Sequence, residues 1–213
     1  MASKKPLQKA RDSFIIKTKN GKQLDLPLYG GDQNLFENEI LRHGGCGLIA
    51  AANVLCALSG NSPDLEEYTQ LCMMLYKKYI PVSRFGTDGI RLACGLSRAM
   101  RDMGFSYRAR WCISMKKLKK RMEEMLSRGI PVILSAGPAF FKKGLILYEL
   151  RGNALFPALY VRSHYVTVTE DRGTFLAVSS WGRKYYISKK EFAHFAYFKS
   201  SPVFSNIVYI TGI

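Results

Sequence analysis

Cys46 is the residue whose surroundings point most clearly to chemistry. It stands between Gly45 and Gly47, directly before an apolar stretch at residues 48–58 that predicts a buried helix. At a helix N-terminus, unpaired backbone N–H groups and the helix dipole favour a thiolate, which is a nucleophile, and the same groups can stabilise an oxyanion. Gly45 and Gly47 would leave room beside the sulfur for a substrate backbone.

A thiol nucleophile needs a partner that takes its proton and later protonates the leaving group, and histidine is the usual choice. The chain has three histidines. His194 lies on an apolar helical segment and is expected to be structural, and His43 is too close to Cys46 along the chain for an in-line arrangement. His164, which opens a predicted strand, is therefore the expected base.

The segment that follows His164 predicts a β-hairpin, whose register decides what lies beside the imidazole. A two-residue turn at residues 171–172 places Ser179 opposite His164. A turn at residues 172–173 places Trp181 opposite the same ring. Either register brings a serine or a tryptophan next to the imidazole, where it could orient the ring or shield it from water.

Helices followed by strands are predicted to hold these residues in place. Capping, proline and glycine signals predict helices at residues 47–59, 62–79, 87–104 and 114–129. Strands are predicted at residues 130–135, 145–150, 159–169, 174–180, 184–187 and 206–211, with a short helix at residues 188–195. This order indicates an α+β fold with a helical lobe beside an antiparallel sheet.

The length of 213 residues predicts a single domain, 1–213. We divide it into an irregular N-terminal extension at residues 1–37, a helical lobe at residues 38–129 and a sheet lobe at residues 130–213. A short strand at residues 13–17 is expected to pair through an Asn20-Gly21 turn. Residues 137–160 are expected to form two packed strands, with one wall of a cleft as the alternative.

Composition limits the classes of protein that this chain can belong to. Apolar residues make up 47% and charged residues 23%, as in ordinary globular proteins. No apolar run of 18 residues occurs, so we expect no transmembrane segment, and the start does not resemble a secretory signal, so a cytoplasmic location is expected. The formal charge of +16 favours anionic partners. Because the basic residues are scattered, nucleic acid is not the expected partner, but it stays open.

Five cysteines make a poor disulfide framework, because the number is odd and the spacing sparse. Without a Cys-x-x-Cys or His-x-x-x-His pair, we expect no metal site. Four cysteines lie in apolar surroundings and are predicted to be buried as small hydrophobic residues: Cys56, Cys72, Cys94 and Cys112.

Several short motifs resemble those of papain-fold cysteine peptidases, and most closely the bacterial group related to the peptidases that process bacteriocin leaders. Residues 44–55 are similar to the Cys-Gly opening of that family, residues 163–168 to its His strand, and residues 178–182 to its Trp-Gly segment. Weaker similarities lie at residues 128–133 and 187–192. The order of the motifs matches the family over residues 38–212.

The resemblance implies a cofactor-free hydrolase that acts on an amide bond of a peptide or protein. Cys46 would be the nucleophile and His164 the general base and acid, acting as a thiolate–imidazolium pair. Ser179 would stand where the family has an asparagine or aspartate. Since a serine carries no charge, an inactive papain-fold binding protein remains an alternative, as does acyl transfer by the same pair. The net charge of +16 leaves a basic polyanion-binding module as a further alternative.

The resemblance also implies an oxyanion hole and a shield for the imidazole. The backbone N–H of Cys46 would be one oxyanion donor. The other would be a side chain before it, with Gln33, Asn34 and Asn38 as candidates and Asn38 favoured. Trp181 would shield His164 from water, with an ordinary core position as the alternative.

Overall fold

A buried helix that begins at Cys46 packs on an antiparallel sheet. The computed structural model describes residues 15–17, 28–112, 114–140 and 143–212. Its helices are α1 (Glu39–Gly44), α2 (Cys46–Ser59), α3 (Leu65–Lys78), α4 (Gly89–Asp102), α5 (Met115–Ser127) and α6 (Lys189–His194), with a 3-10 turn at Gln33–Leu35 and a π-helical turn at Phe195–Lys199. The prediction of an α+β fold is confirmed.

The strands fall into two sheets. They are β1 (Ile15–Ile16), β2 (Leu28–Tyr29), β3 (Tyr107–Trp111), β4 (Val132–Ala136), β5 (Leu145–Arg151), β6 (Ala154–Val161), β7 (His164–Arg172), β8 (Phe175–Ser180), β9 (Arg183–Ser188) and β10 (Ile207–Gly212). β1 pairs with β2, and the other eight follow the order β3-β10-β4-β7-β8-β9-β5-β6 with antiparallel pairing. The strand that begins at His164 therefore lies inside the larger sheet.

The capping and glycine signals that predict the helices form the expected contacts at the helix ends. The carboxylate of Asp64 accepts a hydrogen bond from the N–H of Glu67 while the Glu67 side chain accepts one from the N–H of Asp64, which makes a capping box at the start of α3. At the start of α4, the carboxylate of Asp88 accepts a hydrogen bond from the N–H of Arg91. α2 ends at Gly60, whose φ of 68° is a left-handed conformation that glycine adopts readily. The residues of α2 from Cys46 to Ala57 are buried, as its apolar sequence predicts.

Three predictions about the elements are wrong. The lobe at residues 38–129 is not purely helical, because β3 pairs with β10 at the edge of the larger sheet. Residues 159–169 do not form one strand: β6 ends at Val161 and β7 begins at His164, with Ser163 between them at a φ of 49°. The extension at residues 1–37, expected to be irregular apart from a strand at residues 13–17, contains β2 and the turn Gln33–Leu35 in addition to β1.

Other predictions are confirmed, corrected or fall outside the described residues. Residues 137–160 include β5 and all of β6 except Val161, and the two strands pair with each other, as expected. Cys94 is exposed rather than buried. The Asn20-Gly21 turn lies outside the described residues. Among the described helices, none is long and apolar enough to cross a membrane.

Candidate active site

Cys46 and His164 line one small cavity between α2 and the start of β7. The cavity measures about 10 Å³, close to the smallest volume that holds one water molecule. Gln33, Ser180 and Trp181 are also among the residues of its walls. Cys46 is 7% exposed and His164 is 8% exposed, so both reactive groups are nearly shut off from solvent. The structure thus brings together the predicted nucleophile and the predicted base.

The thiol of Cys46 lies at the N-terminus of α2, as the sequence predicts. Backbone N–H groups of Tyr165, Gly47 and Cys46 itself interact with the sulfur and favour its thiolate. Burial acts more strongly in the opposite direction, and the net effect raises the pKa of the Cys46 thiol above its ordinary value. At rest near neutral pH, the sulfur is therefore protonated.

The glycines beside the sulfur allow close packing of α2 against its neighbours. A Cβ on Gly47 would lie 2.9 Å from Cγ2 of Thr87 and 3.2 Å from the ring of Tyr165, so the absence of a side chain lets α2 approach its neighbours. A Cβ on Gly45 would collide with the carbonyl oxygen of Leu41. That these glycines also leave room for a substrate backbone stays a prediction.

The imidazole of His164 is held by the hairpin of β8 and β9. Its Nε2 lies 2.8 Å from Oγ of Ser180, and its ring stacks on the indole of Trp181. Burial lowers the pKa of His164 from 6.5 to about 4. The imidazole is therefore neutral at pH 7. In the tautomer whose Nε2–H donates to Oγ of Ser180, Nδ1 is the ring nitrogen that can accept a proton from a thiol.

The partner of the imidazole is Ser180 and not the predicted Ser179. The hairpin turns at residues 173–174, because Arg172 pairs with Phe175, so neither predicted turn is correct. An irregularity between Val168 and Glu170 then shifts the register by one residue. The hydroxyl of Ser179 instead donates to the carbonyl oxygen of Tyr29 at 2.7 Å. Ser179 still lines the cavity, but its hydrogen bond holds the N-terminal segment.

Gln33 replaces Asn38 as the candidate oxyanion donor. The side-chain oxygen of Asn38 accepts the N–H of Leu41 and caps α1, and Asn38 does not line the cavity. Gln33 is 8% exposed and lines the cavity together with Cys46. One N–H of its amide donates to the carbonyl oxygen of Arg42 at 2.7 Å, which fixes the side chain and leaves a second N–H for a ligand.

The other histidines lie away from this arrangement. His43 is exposed and its Nε2 is 3.8 Å from Glu39 Oε1 one helical turn earlier. His194 is exposed and its ring lies 5.0 Å from that of Phe198. Within the described ranges, no group of three or more His, Cys, Asp and Glu side chains is arranged to hold a metal ion.

Comparisons with models of known protein families, with curated proteins and with solved structures found no match. The function therefore has to be inferred from the cavity: a buried thiol at a helix N-terminus, a neutral imidazole held by a serine and a tryptophan, and a fixed amide beside them.

Proposed function

We propose that this chain is a cysteine-dependent hydrolase of amide bonds in peptides or proteins. One observation carries the proposal: residues that are far apart in sequence, Cys46 and His164, line the same small cavity, where the imidazole is already held by Ser180. A nucleophile, a base and a group that orients the base are the parts that thiol acyl transfer requires.

The reaction begins from a neutral pair. Nδ1 of His164 takes the proton of the Cys46 thiol as the sulfur attacks the substrate carbonyl carbon, and the carbonyl π electrons move to oxygen. Collapse of this tetrahedral intermediate breaks the C–N bond, and the imidazolium gives its proton to the departing amine. Water then attacks the thioester with His164 as base, which releases the acid and restores the thiol.

Developing negative charge on the carbonyl oxygen needs donors that are in place before the reaction. The backbone N–H of Cys46 at the start of α2 and the free N–H of Gln33 are the groups that we assign to this role. Ser180 holds the ring but carries no charge, so the imidazolium is stabilised mainly by its stacking on Trp181. We expect turnover slower than with a carboxylate in this position.

We further propose that the fold is of the papain type. Its support is the order of elements: a buried helix with the nucleophile at its N-terminus comes first, and a sheet strand that begins with the histidine follows, next to a hairpin with Trp181 at its turn. The resemblance of the cysteine, histidine and Trp-Gly motifs agrees with this order.

The test uses p-nitrophenyl acetate, a small activated ester, because the natural substrate is unidentified. Acetylation of each cysteine is followed by peptide mass spectrometry at pH 7 in the wild type, Cys46→Ala and His164→Ala. We expect Cys46 to be acetylated at least tenfold faster than the exposed Cys94, and expect His164→Ala to remove this difference. Acetylation of Cys46 no faster than Cys94, or no effect of His164→Ala, would contradict the proposal.

The second candidate is a papain-type protein that binds peptides without cleaving them. The pKa directions of the buried pair favour it, because a raised thiol pKa and a lowered imidazole pKa both oppose a thiolate–imidazolium pair at rest. This candidate predicts that Cys46 is acetylated no faster than Cys94 while peptides still bind, which a peptide array on the intact protein would show.

A further inference from the structure

Asn53 is a buried amide in the middle of α2 whose hydrogen-bonding capacity is fully used. It is 2% exposed. Its Oδ1 accepts the N–H of Gly31 at 3.1 Å and the hydroxyl of Tyr68 at 2.7 Å. Its Nδ2 donates to Oγ1 of Thr167 at 3.1 Å and to Oγ of Ser179 at 3.4 Å. An amide has two acceptor sites and two N–H groups, so all four are satisfied.

Three of these four bonds join parts of the chain that form different walls of the cavity. Gly31 belongs to the segment that leads to Gln33, Thr167 lies on β7 and Ser179 on β8. Tyr68 lies on α3, and its hydroxyl also bonds to the carbonyl oxygen of Ile49. Three of the bonds therefore reach cavity walls, while the bond to Tyr68 reaches a neighbouring helix.

The hydrogen bond between Asn53 and Thr167 lies about equally far along the chain axes from Cys46 and from His164. Asn53 is seven residues beyond Cys46 on a helix, which is about 10 Å along its axis. Thr167 is three residues beyond His164 on a strand, which is also about 10 Å. α2 and β7 thus run side by side from their reactive ends to this bond. A second fixed point at this distance sets the angle between the helix and the strand.

We propose that Asn53 is a positioning residue, which by its bond to Thr167 fixes the angle between α2 and β7 and so aligns the thiol of Cys46 with His164. This inference rests on the proposed function. The network is also an internal control, because Tyr68 and Thr167 bond to the same amide from opposite sides.

The test compares Thr167→Val, which removes the acceptor on β7, with Tyr68→Phe, which removes the hydroxyl on α3. Acetylation of Cys46 by p-nitrophenyl acetate is the first readout. We expect Thr167→Val to slow it at least tenfold, Tyr68→Phe to stay within twofold of wild type, and Thr167→Ser to retain the wild-type rate because it keeps the hydroxyl. An equal loss in Tyr68→Phe, or a loss below twofold in Thr167→Val, would overturn the inference.

The second readout is the NMR titration of His164, which does not depend on catalysis. If Thr167→Val loosens β7 from α2, water reaches the imidazole and its pKa rises from about 4 toward 6.5, while Tyr68→Phe leaves it unchanged. An unchanged titration of His164 in Thr167→Val overturns the inference, whether or not wild-type Cys46 is reactive. An unreactive Cys46 in the wild type would contradict only the proposed function. Should Thr167→Val not fold, Thr167→Ala removes the hydroxyl without pressing a methyl group against the amide.

Discussion

The imidazole of His164 stacks on the indole of Trp181, with 4.2 Å between ring centroids and 8° between the ring planes. Trp181 reaches this position from the tight turn between β8 and β9, where its φ is 46° and that of Gly182 is 67°. Left-handed conformations at two successive residues match a type I′ hairpin turn. A non-glycine residue in the left-handed region is uncommon, so the turn holds the indole over the imidazole at some conformational cost.

Substitutions of Gln33 and Asn38 should distinguish an oxyanion donor from a residue that only caps a helix. We expect Gln33→Ala to slow p-nitrophenyl acetate hydrolysis by about 100-fold, since a lost oxyanion donor costs that order of rate. Asn38→Ala loses a helix cap, so it should lower the free energy of unfolding by about 1 kcal/mol and leave the rate unchanged. Steady-state rates and urea unfolding of both variants decide the assignment, which a larger rate loss in Asn38→Ala would reverse.

Ser180→Ala is expected to slow the hydrolysis about tenfold, because the imidazole loses the 2.8 Å hydrogen bond that fixes its orientation. Ser179→Ala is the matched control: it removes the neighbouring hydroxyl but leaves the partner of the imidazole in place. Its loss of rate should be smaller than that of Ser180→Ala. Pre-steady-state release of p-nitrophenol measures both, and the reverse order would return the role to Ser179.

The buried imidazole should make folding stability depend on pH. Because the pKa of His164 is about 4 in the folded protein and near 6.5 when unfolded, only the unfolded chain binds this proton between these values. Stability is then highest above pH 6.5 and falls as the pH drops toward 4, by up to about 3 kcal/mol. Urea unfolding between pH 4.5 and 7.5 should show a steeper dependence in wild type than in His164→Gln, and identical slopes would contradict this.

Gly30→Ala should be more destabilising than its backbone angle alone explains. Gly30 has a φ of 77°, and a Cβ there would collide with Oγ of Ser179 and lie 2.8 Å from Nδ2 of Asn53. Gly60→Ala is the control, because Gly60 has a φ of 68° with nothing within 4 Å of its added Cβ. We expect losses of about 3 and 1 kcal/mol in urea unfolding. Equal losses would show that the segment around Gly30 shifts easily.

The parts of the fold that depend on local signals could be predicted from the sequence. Asp64 and Asp88 cap their helices, and Gly60 ends α2, because these effects involve residues within one turn. β3 was missed because two of its five residues are exposed arginines, Arg108 and Arg110, and its strand structure depends on pairing with distant β10. Distant pairing leaves little trace in local sequence.

In the candidate site, too, local features could be predicted from the sequence and long-range ones could not. Cys46 and His164 were found from their immediate neighbours, but their partners depend on register and chain path. Ser179 is the partner expected from a turn at residues 171–172, whereas the hairpin turns two residues later, at residues 173–174, and has an irregularity after Val168. Gln33 enters the cavity because the segment before α1 crosses to the β8–β9 turn, where the N–H of Tyr29 donates to the carbonyl oxygen of Gly182. Neither the hairpin register nor the path of this segment can be predicted from a short stretch of sequence.

The crossing of the segment before α1 to the β8–β9 turn also determines when the cavity can form during synthesis. The segment from Tyr29 to Gly31 is held by Ser179 and Gly182, and the bond between Tyr29 and Ser179 spans 150 residues of chain. Contacts between such distant residues require the closure of a long loop, which slows folding. During synthesis, Cys46 leaves the ribosome long before His164 and Ser179, so the cavity that they line cannot form until the sheet has been made. Under the proposed function, the growing chain would carry the Cys46 thiol before it carries the base, so it could not cleave a peptide bond during synthesis.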